Sequence, residues 1–167
     1  TVLKGAKLNI DRSQRTVTHV NTIELNSNGG VFDGKGISFD GNLIVNGSVT
    51  LKNIQSTGNL QINNTNNTPL MAQLNNSSWG NVVISALDSK LQASGNSVIG
   101  KLTLNNTATV QTTDSAAIKN LNIQPGLKEL TLDGRVDELD GSEYNGNPLV
   151  ILQPSAVVGN MKLSPSK

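Results

Sequence analysis

The apolar residues of this chain follow neither a helical stripe nor plain alternation. In the stretch IKNLNIQPGLKELTLDGRVDELDG (118–141) they fall at Ile118, Leu121, Ile123, then Leu127, Leu130, Leu132, then Val136 and Leu139. The unit is an apolar residue, two others, an apolar residue, one other, an apolar residue. It recurs at Val20, Ile23, Leu25, at Ile99, Leu102, Leu104 and at Val158, Met161, Leu163. Weaker versions open on Gly5, Thr57 and Trp79, followed by Leu8/Ile10, Leu60/Ile62 and Val82/Ile84. Residues spaced in this way do not share one stripe of a 3.6-residue helix.

The alternating pairs Leu43/Val45, Leu60/Ile62, Val82/Ile84, Leu102/Leu104, Leu121/Ile123 and Met161/Leu163 predict short strands with one face inward. The first five pairs begin 17, 22, 20 and 19 residues apart. Between them lie the pieces Val49/Leu51, Ala72/Leu74, Leu91/Ala93, Ala108/Val110, Leu130/Leu132 and Leu149/Ile151. A third short piece precedes each next turn: Ile54, Val98–Ile99, Ala117–Ile118, Val136, Val157–Val158. Gly, Asn, Ser, Thr and Pro separate the pieces, and these are turn-forming residues. Gly-Asn precedes Leu43, Leu60, Val82 and Met161.

Three short strands in a repeat of this length leave no room for hairpins, which need longer strands and tight turns. A coil whose corresponding strands stack in parallel satisfies the pattern. The predicted fold is all-β, a parallel β-helix of three strands per rung and about eight rungs. At about 4.8 Å per rung, that is a rod of roughly 40 Å. Right-handed winding is expected, as parallel crossovers are overwhelmingly right-handed. The nine-residue spacing of Ile118, Leu127 and Val136 is then a match between different sides of the coil. A leucine-rich repeat would place its motif once per repeat of about 20–29 residues, not at nine-residue spacing. A single domain spans 1–167, with less regular rungs over 1–36, regular rungs over 37–163 and a tail at 164–167.

Composition narrows the chemistry. Two Phe, one Tyr and one Trp are too few for a broad globular core, so Leu, Ile and Val must fill a thin one. A net charge of +1 gives no electrostatic footprint for nucleic acid. No apolar run reaches membrane-spanning length. The absence of Cys excludes disulfides and thiolate metal sites. No signal-peptide pattern is visible in Thr1–Ile10, which carries Lys4, Lys7 and Asn9, so an exported chain is expected in its mature form.

The segments NLIVNGSVTLKNIQSTGNLQINN, WGNVVIS, VIGKLTLNNTATVQ and IKNLNIQPGLKELTLDGRVDELD, within 42–140, resemble the β-helix regions of secreted Gram-positive bacterial surface proteins. Such regions often accompany S-layer homology domains. The resemblance covers roughly three-fifths of the chain and rests on the Gly-Asn turns and the L-x-L-x-G-x-V-x-x-L run. It implies an extracellular or cell-surface location and a structural or adhesive role. No S-layer homology segment accompanies these residues, so the anchoring role does not carry over. Bactofilins, cytosolic β-helix polymers, are similar in architecture but have fewer Asn-rich insertions.

Few residues suggest catalysis. The sole histidine, His19, has no evident acidic partner. Asp33 and Asp40, in GGVFDGKGISFDG, could face one groove as a carboxylate pair, although Asp-Gly pairs are more often turns. Trp79 reads as a packing residue, with a sugar-stacking platform as the alternative. No cofactor is expected. A calcium site near Asp133, Asp137 and Asp140 is the one metal candidate, and it would need six to eight converging oxygens. Asn42, Asn59, Asn81, Asn120 and Asn160 hold one place in successive rungs, and so, roughly, do Asn46, Asn63 and Asn105. Stacked amides there predict hydrogen-bonded ladders.

The functional expectation is a non-enzymatic structural subunit of an extracellular fibre, surface layer or matrix. Its partners would be other copies of itself and, secondarily, cell-wall or matrix polysaccharide. A β-helix leaves unpaired backbone groups on its first and last rungs. Val2, Leu3, Leu8, Ile10, Val158, Met161 and Leu163 are the candidate assembly edges. The alternative is a polysaccharide-binding or polysaccharide-cleaving β-helix using Asp33, Asp40 and Trp79.

Overall fold

The computed structural model of the chain describes residues 2–4, 7–9, 22–39, 41–64, 68–142, 144, 146 and 148–163. For residues 2–4, 7–9, 37, 39 and 163 only the backbone is described. Ile10, His19 and Asp40 lie outside the described residues.

All regular structure among the described residues is strand. The strands are β1 Val2–Lys4, β2 Lys7–Asn9, β3 Thr22–Asn28, β4 Gly30–Phe39, β5 Asn42–Asn46, β6 Val49–Ser56, β7 Asn59–Asn63 and β8 Leu70–Asn75. There follow β9 Trp79–Ser85, β10 Asp88–Ser94, β11 Val98–Thr112, β12 Ala117–Asp133, β13 Arg135–Gly141, β14 Leu149–Leu152 and β15 Val157–Leu163. Every ladder between them is parallel, and partners lie about one repeat apart in sequence. The chain is a β-solenoid.

The register shows why the apolar spacing takes its form. On one side, Ile23, Leu43, Leu60, Val82, Leu102, Leu121, Leu139 and Met161 stand in one column. Those eight residues mark seven full turns. Leu25, Val45, Ile62, Ile84, Leu104 and Ile123 form the parallel column two residues on. This is the asparagine side, named for its outer corner. On the second, glutamine side, Val49, Ala72, Leu91, Val110, Leu132 and Leu152 are in register. The short third side stacks Trp79, Ile99, Ile118, Val136 and Val158. Each side thus contributes one or two inward aliphatics per turn, and the three sides close on a thin continuous core. Full burial of each Leu, Ile or Val supplies about 1.5–3 kcal/mol.

The corners explain the polar residues. Between the glutamine side and the short side the chain turns through a left-handed residue in successive turns: Asn53, Asn76, Gly95, Asp114 and Gly134. Asn and Asp tolerate this conformation better than other residues with a side chain. Their side chains also bind the adjoining turn. Asn76 Oδ1 accepts from the Asn96 N–H at 3.1 Å, and Asp114 Oδ2 from the Gly95 N–H at 2.9 Å. Between the short side and the asparagine side, the glycine before the corner residue is required by contact, whether Asn follows it, as at Gly80 and Gly159, or Lys, as at Gly100. A Cβ on Gly100 would lie 2.4 Å from the Gly80 carbonyl oxygen, and one on Gly80 2.2 Å from that of Thr57.

Two details differ from the expected register. Leu139 joins the Leu121 and Met161 column, though Gly141 leaves it without an alternating partner. In the final turn the inward residues are Val150 and Leu152, aligned with Leu130 and Leu132. Leu149 and Ile151 align instead with outward-facing Glu129 and Thr131. A slip of one residue exchanges the two faces of a strand.

Candidate functional site

Outside the core, the most regular chemistry is amide. At the outer corner of the asparagine side, Asn59 Nδ2 donates to Asn42 Oδ1 and Asn81 Nδ2 to Asn59 Oδ1, both at 2.9 Å. The ladder then meets Lys101, the register partner of both Asn81 and Asn120. Beyond it Asn120 Nδ2 donates to Glu138 Oε1 at 2.8 Å, and Asn160 Nδ2 to Glu138 Oε2 at 3.4 Å. Asn120 Oδ1 is left buried without a hydrogen-bond partner. Replacing Lys101 with Asn supplies two N–H donors between Asn81 Oδ1 and Asn120 Oδ1. Lys101→Asn is therefore expected to raise stability by about 1 kcal/mol, measured by chemical denaturation. A second, shorter ladder joins Asn63 to Asn46 at 3.3 Å and Asn46 to Asn26 at 3.0 Å.

A third ladder runs along the glutamine side. Thr50 Oγ1 donates to Gln73 Oε1 at 2.8 Å. Gln73 Nε2 donates to Gln92 Oε1 at 2.9 Å, Gln92 Nε2 to Gln111 Oε1 at 2.8 Å, and Gln111 Nε2 to Asp133 Oδ2 at 3.0 Å. Ser155 Oγ donates to the other oxygen of Asp133. Thr50, Gln73, Gln92 and Gln111 line a groove of about 420 Å³ together with Lys52, Asn75, Ser94 and Thr113. The spacing Gln73, Gln92, Gln111 is a strict 19 residues, a signal present in the sequence alongside the Asn columns.

Of the residues singled out for polysaccharide contact, Asp33 and Trp79 are described, and neither is free to meet a sugar as expected. Asp33 accepts from the Lys35 N–H at 2.9 Å and from Asn53 Nδ2 at 3.0 Å, bonds that shape a turn and tie it to the next. Trp79 is 2% exposed and donates its indole N–H to Ser77 Oγ at 3.1 Å, so it offers no face to a sugar. It packs in the short-side column below Ile99.

The acidic residues near the C-terminal turns also diverge. Asp133 belongs to the glutamine ladder. Asp137 pairs with Lys119 Nζ at 2.8 Å and Arg135 Nε at 3.0 Å, and these hydrogen bonds hold its carboxyl below the ordinary value of 3.8. Asp140 is lowered by hydrogen bonds from the Ser142 hydroxyl and N–H. Among the described residues no three His, Cys, Asp or Glu side chains converge as a metal site.

The ends complete the inventory. Among the described residues β1 pairs with β3 alone, β2 with β4 alone, β14 with β12 alone and β15 with β13 alone. These strands carry the predicted edge residues Val2, Leu3, Leu8, Val158, Met161 and Leu163. In the last turn Met161 is 43% exposed although Leu139, one turn earlier in the same column, is 0% exposed. Leu149, Leu152 and Val157 are also exposed there.

No protein family, curated protein or solved structure matches this chain.

Proposed function

We propose that this chain is a non-enzymatic structural subunit of an extracellular bacterial assembly, built by stacking solenoids end to end. The observation that supports this reading is the C-terminal turn, where Leu152 and Met161 are exposed beside two one-sided strands although Leu132 and Leu139, one turn earlier in the same columns, are fully buried. A further turn of parallel strand on that surface would cover the apolar side chains and pair the backbone groups together. The opposite end presents matching edges. β1 belongs to the same sheet side as β15, and β2 to the same side as β14. A second copy displaced along the axis would therefore meet parallel strand with parallel strand. Such a contact is head-to-tail and does not close, so it generates a filament. The resemblance to secreted surface β-helices supports the extracellular setting.

Light scattering of the purified chain across a concentration series tests this reading. The average mass should climb well above the 17.6 kDa of one chain as concentration rises. A constant 17.6 kDa at every concentration would remove its basis.

A further inference from the structure

We infer that the glutamine-side groove is a binding site for an extended, uncharged polysaccharide. It lies on the flank of the rod, so it does not depend on how the ends are used. The groove spans five successive turns, from Val31 through Thr50, Gln73 and Gln92 to Gln111. At the spacing of stacked strands that is a track of about 19 Å.

The hydrogen-bond inventory identifies the ligand. A glutamine amide has two N–H donors and two acceptor lone pairs. In the ladder each of Gln73, Gln92 and Gln111 gives one N–H to the next turn and accepts one bond from the turn before. Each retains one N–H and one lone pair. The track therefore offers donors and acceptors in equal number, repeated at every turn, with Asn75, Ser94 and Thr113 alongside. A chain of hydroxyl groups matches this, because every hydroxyl both donates and accepts.

Other polymers match less well. Nucleic acid or a uronic-acid polymer calls for a row of cations, and among the described residues Lys52 is the one cationic residue lining the groove. A peptide strand binds a sheet through unpaired backbone at an edge, whereas this backbone is paired on both sides. The ladder also holds the amides in place before any ligand arrives, which reduces the ordering entropy of binding. The groove presents no carboxylate pair across a sugar bond, so the inference concerns binding and not cleavage.

The test is affinity electrophoresis through gels containing hydroxyethyl cellulose, xylan or polygalacturonate. The wild-type chain should be retarded by at least one of the two neutral polymers and less by polygalacturonate. Gln73→Met and Gln92→Met keep side-chain length but remove the amide, and each should weaken retardation about tenfold. Circular dichroism checks that both variants fold. A parallel titration needs no variant: adding a neutral oligosaccharide to isotope-labelled wild-type chain should shift the side-chain amide resonances of Gln73, Gln92 and Gln111. Absence of retardation by both neutral polymers, preference for polygalacturonate, undiminished retardation of the folded variants, or unmoved glutamine resonances would each overturn the inference.

Discussion

Replacing Leu102 with Ala is expected to lower the unfolding free energy by about 2–5 kcal/mol, toward the upper end of that range. Leu102 is fully buried between Val82 and Leu121 in the asparagine-side column. The cost of such a truncation depends on how far the surroundings can collapse into the cavity. Here they are held apart. Backbone ladders on both sides fix the distance between turns at about 4.8 Å, so neighbouring side chains cannot close the gap by moving along the axis. In a solenoid each turn contacts only its neighbours, so a weakened interface also uncouples the turns on either side. Met161→Ala in the same column provides the contrast. That side chain is 43% exposed, and its removal should cost about 1 kcal/mol or less. Urea denaturation of both variants measures the difference. Equal losses would mean that the column is not the element holding the turns together.

The second large effect is on association. Leu152→Lys combined with Met161→Lys should raise the concentration needed for assembly by about two orders of magnitude or more, with little change in the fold of the single chain. In the isolated chain both positions are exposed, so the new ammonium groups remain hydrated. In a stacked filament they would be buried against the first turn of the next copy, because their register partners one turn earlier, Leu132 and Leu139, are fully buried. Uncompensated burial of one ion costs several kcal/mol, and a factor of ten in affinity corresponds to about 1.4 kcal/mol. Lysine on an exposed edge is also a common device against strand pairing in natural sheets. Leu87→Lys is the control. Leu87 is 63% exposed, but it lies between β9 and β10 on the flank, away from both ends. Its substitution should leave assembly unchanged. Loss of assembly in the control would point to flank contacts instead of end contacts.

Much of the architecture could be read before any coordinates because a stacked coil repeats its inward positions nearly by copying them. Leu43, Leu60, Val82, Leu102 and Leu121 carry both the spacing and the register. The Gly-Asn dipeptide was visible as a repeated turn, and its physical origin is the carbonyl of the preceding turn pressing on the glycine. Asn42, Asn59 and Asn81 form the ladder that their spacing predicted, while Lys101 interrupts it.

Other features were hidden for definite reasons. Leu139 is visible in the apolar pattern but not as a strand pair, because Gly141, its companion position, has no side chain to mark the face. The final turn was misread because Leu149–Leu152 is uniformly apolar, and alternation carries no information in such a run. There the register comes from hydrogen bonding to Glu129–Leu132. The candidate contact residues fared differently again. Trp79 is an aromatic that could serve packing or sugars, and only its depth in the short-side column decides for packing. The glutamine groove escaped because it contains no residue type associated with a motif, only ordinary amides in an uncommon alignment.

Cryo-electron microscopy of the assembled chain tests the central claim most directly. The account predicts filaments one solenoid wide, in which β15 of one copy and β1 of the next continue the same sheet side with strand spacing of about 4.8 Å across the junction. Assemblies joined through their flanks, with the Leu152 and Met161 surface left open, would contradict it.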